Sequence, residues 1–270
     1  MTAFEALILG IIQGLTEFLP VSSSGHLFLG QVLLGVKGNE GFLFTIVVHF
    51  ATALSTIFVF RKDITKILVD LLKFRLNSGT RFSFLVVISM IPAVIVGLKF
   101  EDTIDGITSG GDQQTGLIVV GLCLLITAGL LYFSHKRSQG KSEVGVKHAF
   151  IVGVAQAIAT LPGISRSGAT IATGLITGLS RENAARFSFL MVIPVIFGVM
   201  AKKTLDVLQG DEVVGDASFL PLIVGFFAAF ISGWLACRWM ISIVKKAKLS
   251  YFAIYCLVVG LISLGAAVVA

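Results

Sequence analysis

The sequence predicts an all-α integral membrane protein, with six transmembrane helices plus two re-entrant helical hairpins in an inverted-topology repeat. Three observations predict it. Of the 270 residues, 56% are hydrophobic and only 13% charged, against about 25% charge in an ordinary soluble domain; mean hydropathy is +0.96. The apolar residues fall in six runs long enough to cross a hydrocarbon core of about 30 Å, which takes about 20 helical residues. The chain also matches itself at an offset of 143 residues. A barrel is excluded because the apolar runs are mostly unalternated and glycines number 29, whereas barrel strands alternate with a period of two. No separate soluble domain fits, so residues 1–270 form a single polytopic membrane domain.

The first stretch, 3–35, is apolar at both ends and broken in its middle by Pro20, Gly25 and the serines Ser22, Ser23 and Ser24. It reads as a re-entrant hairpin and not as a secretory signal, since Met1–Leu9 lacks a basic region and contains Glu5. The crossing 42–60 follows, then a loop, 61–81, with Arg61, Lys62, Lys66, Lys73, Arg75 and Arg81 against Asp63 and Asp70. Basic loops stay on the cytoplasmic side. Crossing 82–98 leads to an acidic, external loop at 99–116, and crossing 117–134 returns to a basic one at 135–148. A second broken stretch, 146–180, is read as the second hairpin. Crossings 184–201, 218–237 and 251–269 complete the chain, separated by an acidic loop at 202–217 and a basic one at 236–250. Orientation in the bilayer accounts for the net charge of +6, so a nucleic-acid partner is not implied. Cys123, Cys237 and Cys256 sit singly in apolar runs and read as packing residues.

The offset of 143 places Gln13 on Gln156, Ser22 on Ser165, Ser24 on Ser167, Gly25 on Gly168 and Phe44 on Phe187; Pro20 and Pro162 miss by one. Because the charge pattern gives crossings 42–60 and 184–201 opposite directions, the repeat is inverted, with repeat one at 1–135 and repeat two at 146–270. A five-residue match, Arg81–Leu85 on Arg186–Leu190, occurs at a different offset and reflects chance in apolar sequence. Inverted repeats bring broken helix tips together near the bilayer midplane, so the two serine-rich turns are expected to meet in one pocket.

Gln13 and Glu17, four apart, share one helical face toward the first turn. A carboxylate at membrane depth usually faces a cavity and a partner. Ser22, Ser23 and Ser24 can cap the returning helix or offer hydroxyls to an anion, and His26 can exchange a proton near neutral pH. In the second turn Arg166 needs a permanent anion; its planar fork suits phosphate oxygens, and an ion pair with Glu17 is the alternative. Ser165, Ser167 and Thr170 surround it with hydroxyls. His49, mid-crossing, reads as a packing or cavity-lining residue, and His135 and His148 as solvated loop residues. A transporter would share this anatomy; a proton-transfer residue beside a potential nucleophile favours an enzyme.

The run Gln13-x-x-x-Glu17, then Pro-Val-Ser-Ser-Ser-Gly-His at 20–26, and Pro-Gly-Ile-Ser-Arg-Ser-Gly-Ala-Thr at 162–170 resemble the two signatures of the bacterial undecaprenyl pyrophosphate phosphatases of the bacitracin-resistance type. The resemblance covers essentially the whole chain. It implies hydrolysis of undecaprenyl pyrophosphate to the monophosphate and inorganic phosphate at the inner membrane, recycling the lipid carrier of cell-wall synthesis. It also implies a site open toward the periplasm and a divalent cation, Mg²⁺ or Ca²⁺. By motif position the functional residues are Gln13, Glu17, Ser22, Ser23, Ser24, His26, Ser165, Arg166, Ser167 and Thr170. One departure is that the family commonly has an Arg after Phe-x-x-Tyr, where this chain has Phe252-Ala-Ile-Tyr255-Cys256. Within the resemblance, Ser23 attacks the terminal phosphorus, His26 handles protons, and Glu17, with Gln13, either binds the cation or orients His26; attack by water or by His26 stays open. The partners expected are a polyprenyl pyrophosphate lipid, the bilayer, and a second copy of the chain in a homodimer.

Overall fold

The computed structural model describes residues 1–36, 38–73, 75, 77–109, 112–136, 140–209, 219–246 and 249–269. These are helical almost throughout. The helices are α1 (Ala3–Phe18), α2 (Ser23–Leu34), α3 (Gly38–Val59), α4 (Arg61–Leu72), α5 (Ser78–Ser109), α6 (Gln113–Lys136), α7 (Val146–Ile158), α8 (Arg166–Ile176), α9 (Arg181–Gln209), α10 (Phe219–Lys246) and α11 (Ser250–Val269). Five of them, α5, α6, α9, α10 and α11, are long and apolar enough to cross a membrane, and α3 with α4 makes a sixth if that bent pair counts as one span. The expected hairpins correspond to two pairs of short helices, α1 with α2 and α7 with α8. The outward faces of α5, α10 and α11 expose Phe84, Ile91, Phe227, Leu235, Leu257 and Leu261, as the apolar solvent of a bilayer demands.

The first expected basic loop is in part a helix. Arg61–Leu72 forms α4, bent 76° from the apolar Leu43–Val59 of α3. Its sequence, Arg-Lys-Asp-Ile-Thr-Lys-Ile-Leu-Val-Asp-Leu-Leu, spaces apolar residues at helical intervals, which the charge count alone hid. The acidic expectation at 202–217 lies largely outside the described residues, as do the side chains of the acidic residues at 101–105. The three cysteines are buried and unpaired, as expected. His148 is not simply solvated: its Nδ1 accepts the N–H of Gly145 at 3.3 Å and its Nε2 lies 3.3 Å from the Thr177 carbonyl, because α7 begins there and needs a cap. His135 is likewise partly buried.

The short helices pack by close backbone approach. α1 lies along α10 and α7 along α5. A Cβ added to Gly10 of α1 would sit 2.6 Å from the Gly225 carbonyl of α10, and one added to Gly153 of α7 would sit 2.4 Å from the Ser89 carbonyl of α5. Only glycine permits such contact, and close contact between helices is what holds a bundle together where lipid removes the hydrophobic drive. Gly10 and Gly153 are themselves 143 residues apart. α6 packs on α11, and α8 wedges between α6 and α9, carrying the second turn to the centre of the bundle.

Candidate functional site

Each turn is built by the same local device. At the first, α1 ends at Phe18 and Ser22 caps α2, its Oγ accepting the Gly25 N–H at 3.3 Å. At the second, α7 ends at Ile158 and Ser165 caps α8, its Oγ accepting the Gly168 N–H at 3.0 Å. The next serines repeat the match: Ser22 Oγ lies 3.4 Å from Ser24 Oγ, and Ser165 Oγ 3.3 Å from Ser167 Oγ. The intervening residues, Ser23 and Arg166, open their helices. Ser22 holds φ at 73°, a left-handed conformation rare outside glycine; the second turn places its positive φ of 93° at Gly163. Strain of that kind persists only where the surroundings enforce it.

The two turns touch. Ser24 Oγ accepts the Gly163 N–H at 3.4 Å, and Ser167 Oγ donates to the Leu19 carbonyl at 3.1 Å, so each turn binds the other. The Ser165 N–H donates to Thr127 Oγ1 of α6 at 3.1 Å. This tie fixes Arg166 opposite the end of α1.

Glu17 is the hub. Its Oε2 accepts from Gln13 Nε2 at 2.9 Å and from Ser23 Oγ at 2.6 Å, while Oε1 accepts from Arg166 Nη2. The carboxylate side chain is 6% exposed and the guanidinium one 26%. The ion-pair alternative raised for Arg166 is therefore present, and only one of the guanidinium nitrogens is spent on it. Gln13 is fully buried, and its Oε1 has no hydrogen-bond partner.

The remaining expected residues divide. Ser22, Ser165, Ser167 and Thr170 are buried and act within the protein: three are caps or cross-turn ties, and Thr170 Oγ1 donates to the Arg166 carbonyl at 2.7 Å and meets Ser188 Oγ at 2.6 Å. Ser165 and Thr170 brace the first turn of α8, which carries Arg166. Ser23, Ser24, His26 and Arg166 keep exposed surface. His26 is not on Ser23 or Glu17, as the triad-like expectation had it. Its Nδ1 lies 2.8 Å from the Ser22 carbonyl, which can only accept, so that nitrogen carries the proton. Nε2, 2.8 Å from Tyr255 Oη, then accepts from the phenol, and the two rings stack at 5.5 Å. At the first turn of a helix the imidazole folds back on the carbonyl four residues earlier, which turns it away from its third neighbour.

Two residues of the site lie outside the motifs. Tyr255 is one; His49 on α3 is the other, with Nε2 3.9 Å from Glu17 Oε2 and Nδ1 2.8 Å from the Thr45 carbonyl. A signal for His49 was available in the polar stripe Thr45, His49, Thr52 and Thr56 on an otherwise apolar helix. Cys256, at the position of the missing family Arg, is fully buried with its Sγ 3.7 Å from the Pro20 carbonyl. That place belongs to the packed wall beneath the first turn.

A protein-built metal centre does not fit these residues. Among the described residues no group of three or more His, Cys, Asp and Glu side chains is arranged to hold an ion. Glu17 already has Arg166 on one oxygen and Ser23 and Gln13 on the other. What the arrangement can do is hold a hydroxyl against a carboxylate beside a partly open guanidinium, the elements of phosphoryl transfer.

Comparison with known proteins agrees with that chemistry. The family model described as bacitracin resistance protein BacA matches residues 6–262. A protein of Christiangramia forsetii named undecaprenyl-diphosphatase is 55% identical over 263 residues, 97% of each chain. One of the same name from Bacteroides fragilis is 53% identical over 265 residues, 98% of each. Undecaprenyl-diphosphatase 1 of Bacillus cereus is 40% identical over 266 residues, 96% of this chain and 95% of its own.

Proposed function

The chain belongs to the family of the bacitracin resistance protein BacA, and on that premise we propose that it hydrolyses undecaprenyl pyrophosphate to undecaprenyl phosphate and inorganic phosphate. The observation that carries this is the meeting of Ser23, Glu17 and Arg166, from two turns 143 residues apart, at one point. A transporter would need the anion clamp but has no use for a hydroxyl held on a carboxylate. The relatives, moreover, carry the name of an enzyme.

In this reading the Glu17 carboxylate takes the Ser23 proton as Oγ attacks the terminal phosphorus. The new Oγ–P bond forms as the anhydride P–O bond breaks, and undecaprenyl phosphate leaves as an anion needing no proton. Water then cleaves the phosphoserine: its hydroxyl bonds to phosphorus as the Oγ–P bond breaks, Glu17 returns its proton to Oγ, the other water proton is released to solvent, and inorganic phosphate departs. Arg166 supplies charge to the phosphoryl oxygens through the donors it does not spend on Glu17. His26, fixed by Ser22 and Tyr255, borders the opening, and its unprotonated Nε2 can accept a proton there. Mg²⁺ or Ca²⁺, bound by the pyrophosphate itself, would neutralise part of its charge.

The inverted repeat, 1–135 and 146–270, belongs to the same reading. Its support is reciprocal packing: α1 of the first half lies on α10 of the second, α7 of the second lies on α5 of the first, and α6 and α11 face each other. Re-entrant hairpins at α1–α2 and α7–α8, the bacterial inner membrane, a site facing the periplasm and a homodimer are parts of the proposal. Purified protein in detergent, with no membrane to cross, is expected to release phosphate from a polyprenyl pyrophosphate. No release under conditions where the protein stays folded would reject the hydrolase and leave a carrier.

A further inference from the structure

Outside the site, the densest group of charges with surface to spare is on α4. Where α3 ends, the chain turns through 76°, so α4 runs across the bundle instead of along it. Lys62, Lys66, Val69 and Lys73 follow one another at helical intervals along one face, and Leu68 and Leu72 stand exposed beside them at 54% and 73%. Cations and large apolar side chains exposed together are the mark of a helix lying in a membrane interface.

The basic face borders a shallow, open cleft. About 590 Å³ in extent, it is lined from α4 and its end by Arg61, Lys62, Thr65, Lys66, Val69, Asp70 and Lys73. Both acids of the helix are engaged. Asp63 accepts from Arg186 Nε at 3.0 Å and Nη2 at 2.6 Å, which pins α4 to α9. Asp70, also at the cleft, lies 3.4 Å from Lys73 Nζ and is walled in by Gly79, where an added Cβ would come within 2.5 Å of it. Asn77 Nδ2 donates to the Asp70 carbonyl at 2.8 Å, fixing the far end. Arg61 lies over the Phe58 ring at 4.9 Å. Lys62 and Lys66 have no ion-pair partner among the described residues.

We propose that this cleft binds the phosphate headgroup of an anionic phospholipid, with Lys62 and Lys66 as its principal contacts and the acyl chains beside Leu68 and Leu72. Charge complementarity selects the headgroup: Arg61, Lys62 and Lys66 are left for it once Lys73 is paired with Asp70, and Asp63 is held by Arg186. The exposed leucines select a lipid over a soluble polyanion. Basic residues that served orientation alone would need neither a cleft nor a helix clamped at both ends.

The test uses the full-length protein in mixed micelles and measures retention of phosphatidylglycerol relative to phosphatidylcholine by native mass spectrometry. The parent is expected to retain phosphatidylglycerol preferentially, and Lys62→Gln/Lys66→Gln to lower that preference about tenfold. Lys141→Gln/Lys147→Gln removes the same charge from another exposed basic segment and is expected to keep it. Unchanged preference in the first variant, or equal loss in both, overturns the proposal. So does a loss accompanied by a change in oligomeric state, which would make this face a contact between copies of the chain. Both variants are expected to release phosphate in detergent as the parent does, so the outcome is independent of the hydrolase reading.

Discussion

Glu17 receives the Ser23 hydroxyl on one carboxylate oxygen and the Arg166 guanidinium on the other. A hydroxyl and a cation contributed by different halves of the chain are thus held by one side chain. Removing Arg166 outright would strand a carboxylate whose side chain is 6% exposed, at about 3–5 kcal/mol for a broken buried pair. Folding and chemistry would then fail together, and conservative changes are the informative ones.

Glu17→Gln keeps the size and one hydrogen-bond acceptor but removes the base. It is expected to lower kcat by about a hundredfold or more, the usual contribution of a positioned base, while Gln13→Leu, which removes one hydrogen bond to Glu17 and adds no charge, costs less. Steady-state turnover of the two variants decides this. Equal and small losses would leave Glu17 as a structural anchor for Arg166.

Arg166→Lys keeps the charge but not the fork. A lysine can pair with Glu17 or reach a phosphate, and cannot do both with the parallel donors a guanidinium provides. Loss of one hydrogen bond to a charged group, at about 1.5–3 kcal/mol, predicts a fall in kcat/KM of about tenfold to about 150-fold. Turnover close to that of the parent would remove Arg166 from the phosphate contacts.

The helix pairs, five of the apolar spans and the meeting of the turns were legible because they rest on hydropathy, charge sign and a repeat, all one-dimensional signals. The pairing of Ser23 with Glu17 instead of His26 was not. Sequence spacing places Ser23 three residues from His26 and six from Glu17, and only the chain reversal at Leu19–Ser22 inverts that order of proximity. α4 was missed for a related reason, because counting its charges concealed their helical spacing. The hydroxyls of Ser165, Ser167 and Thr170 look like ligands in a motif, yet at a buried turn the backbone donors and acceptors claim them first.

His49 lies 3.9 Å from Glu17 Oε2, too far for a direct hydrogen bond. The Thr45 carbonyl accepts the Nδ1–H, so Nε2 is the acceptor on the Glu17 side, and at this separation one bridging water would carry the proton Glu17 takes up. His49→Gln is expected to lower kcat about tenfold, about 1.4 kcal/mol, with little change in KM, and to alter the pH dependence of kcat. An unchanged profile with unchanged kcat would return His49 to a packing role.

The three serines are already committed to different tasks. Ser22 Oγ is committed to the cap of α2 and is buried, and Ser24 Oγ ties the first turn to Gly163. Ser23 alone of the three is held on a carboxylate, at 2.6 Å, and it occupies the repeat position that Arg166 fills in the other half. Ser23→Ala is expected to abolish turnover while a non-hydrolysable pyrophosphate lipid still binds. Ser22→Ala should lower stability by about 1 kcal/mol through loss of the cap, and Ser24→Ala should give a partial loss. Measuring turnover, lipid binding and thermal stability for all three separates these roles. If Ser23→Ala keeps more than about a tenth of the parent rate, a barrier change under about 1.4 kcal/mol, Glu17 activates water directly and no phosphoserine forms.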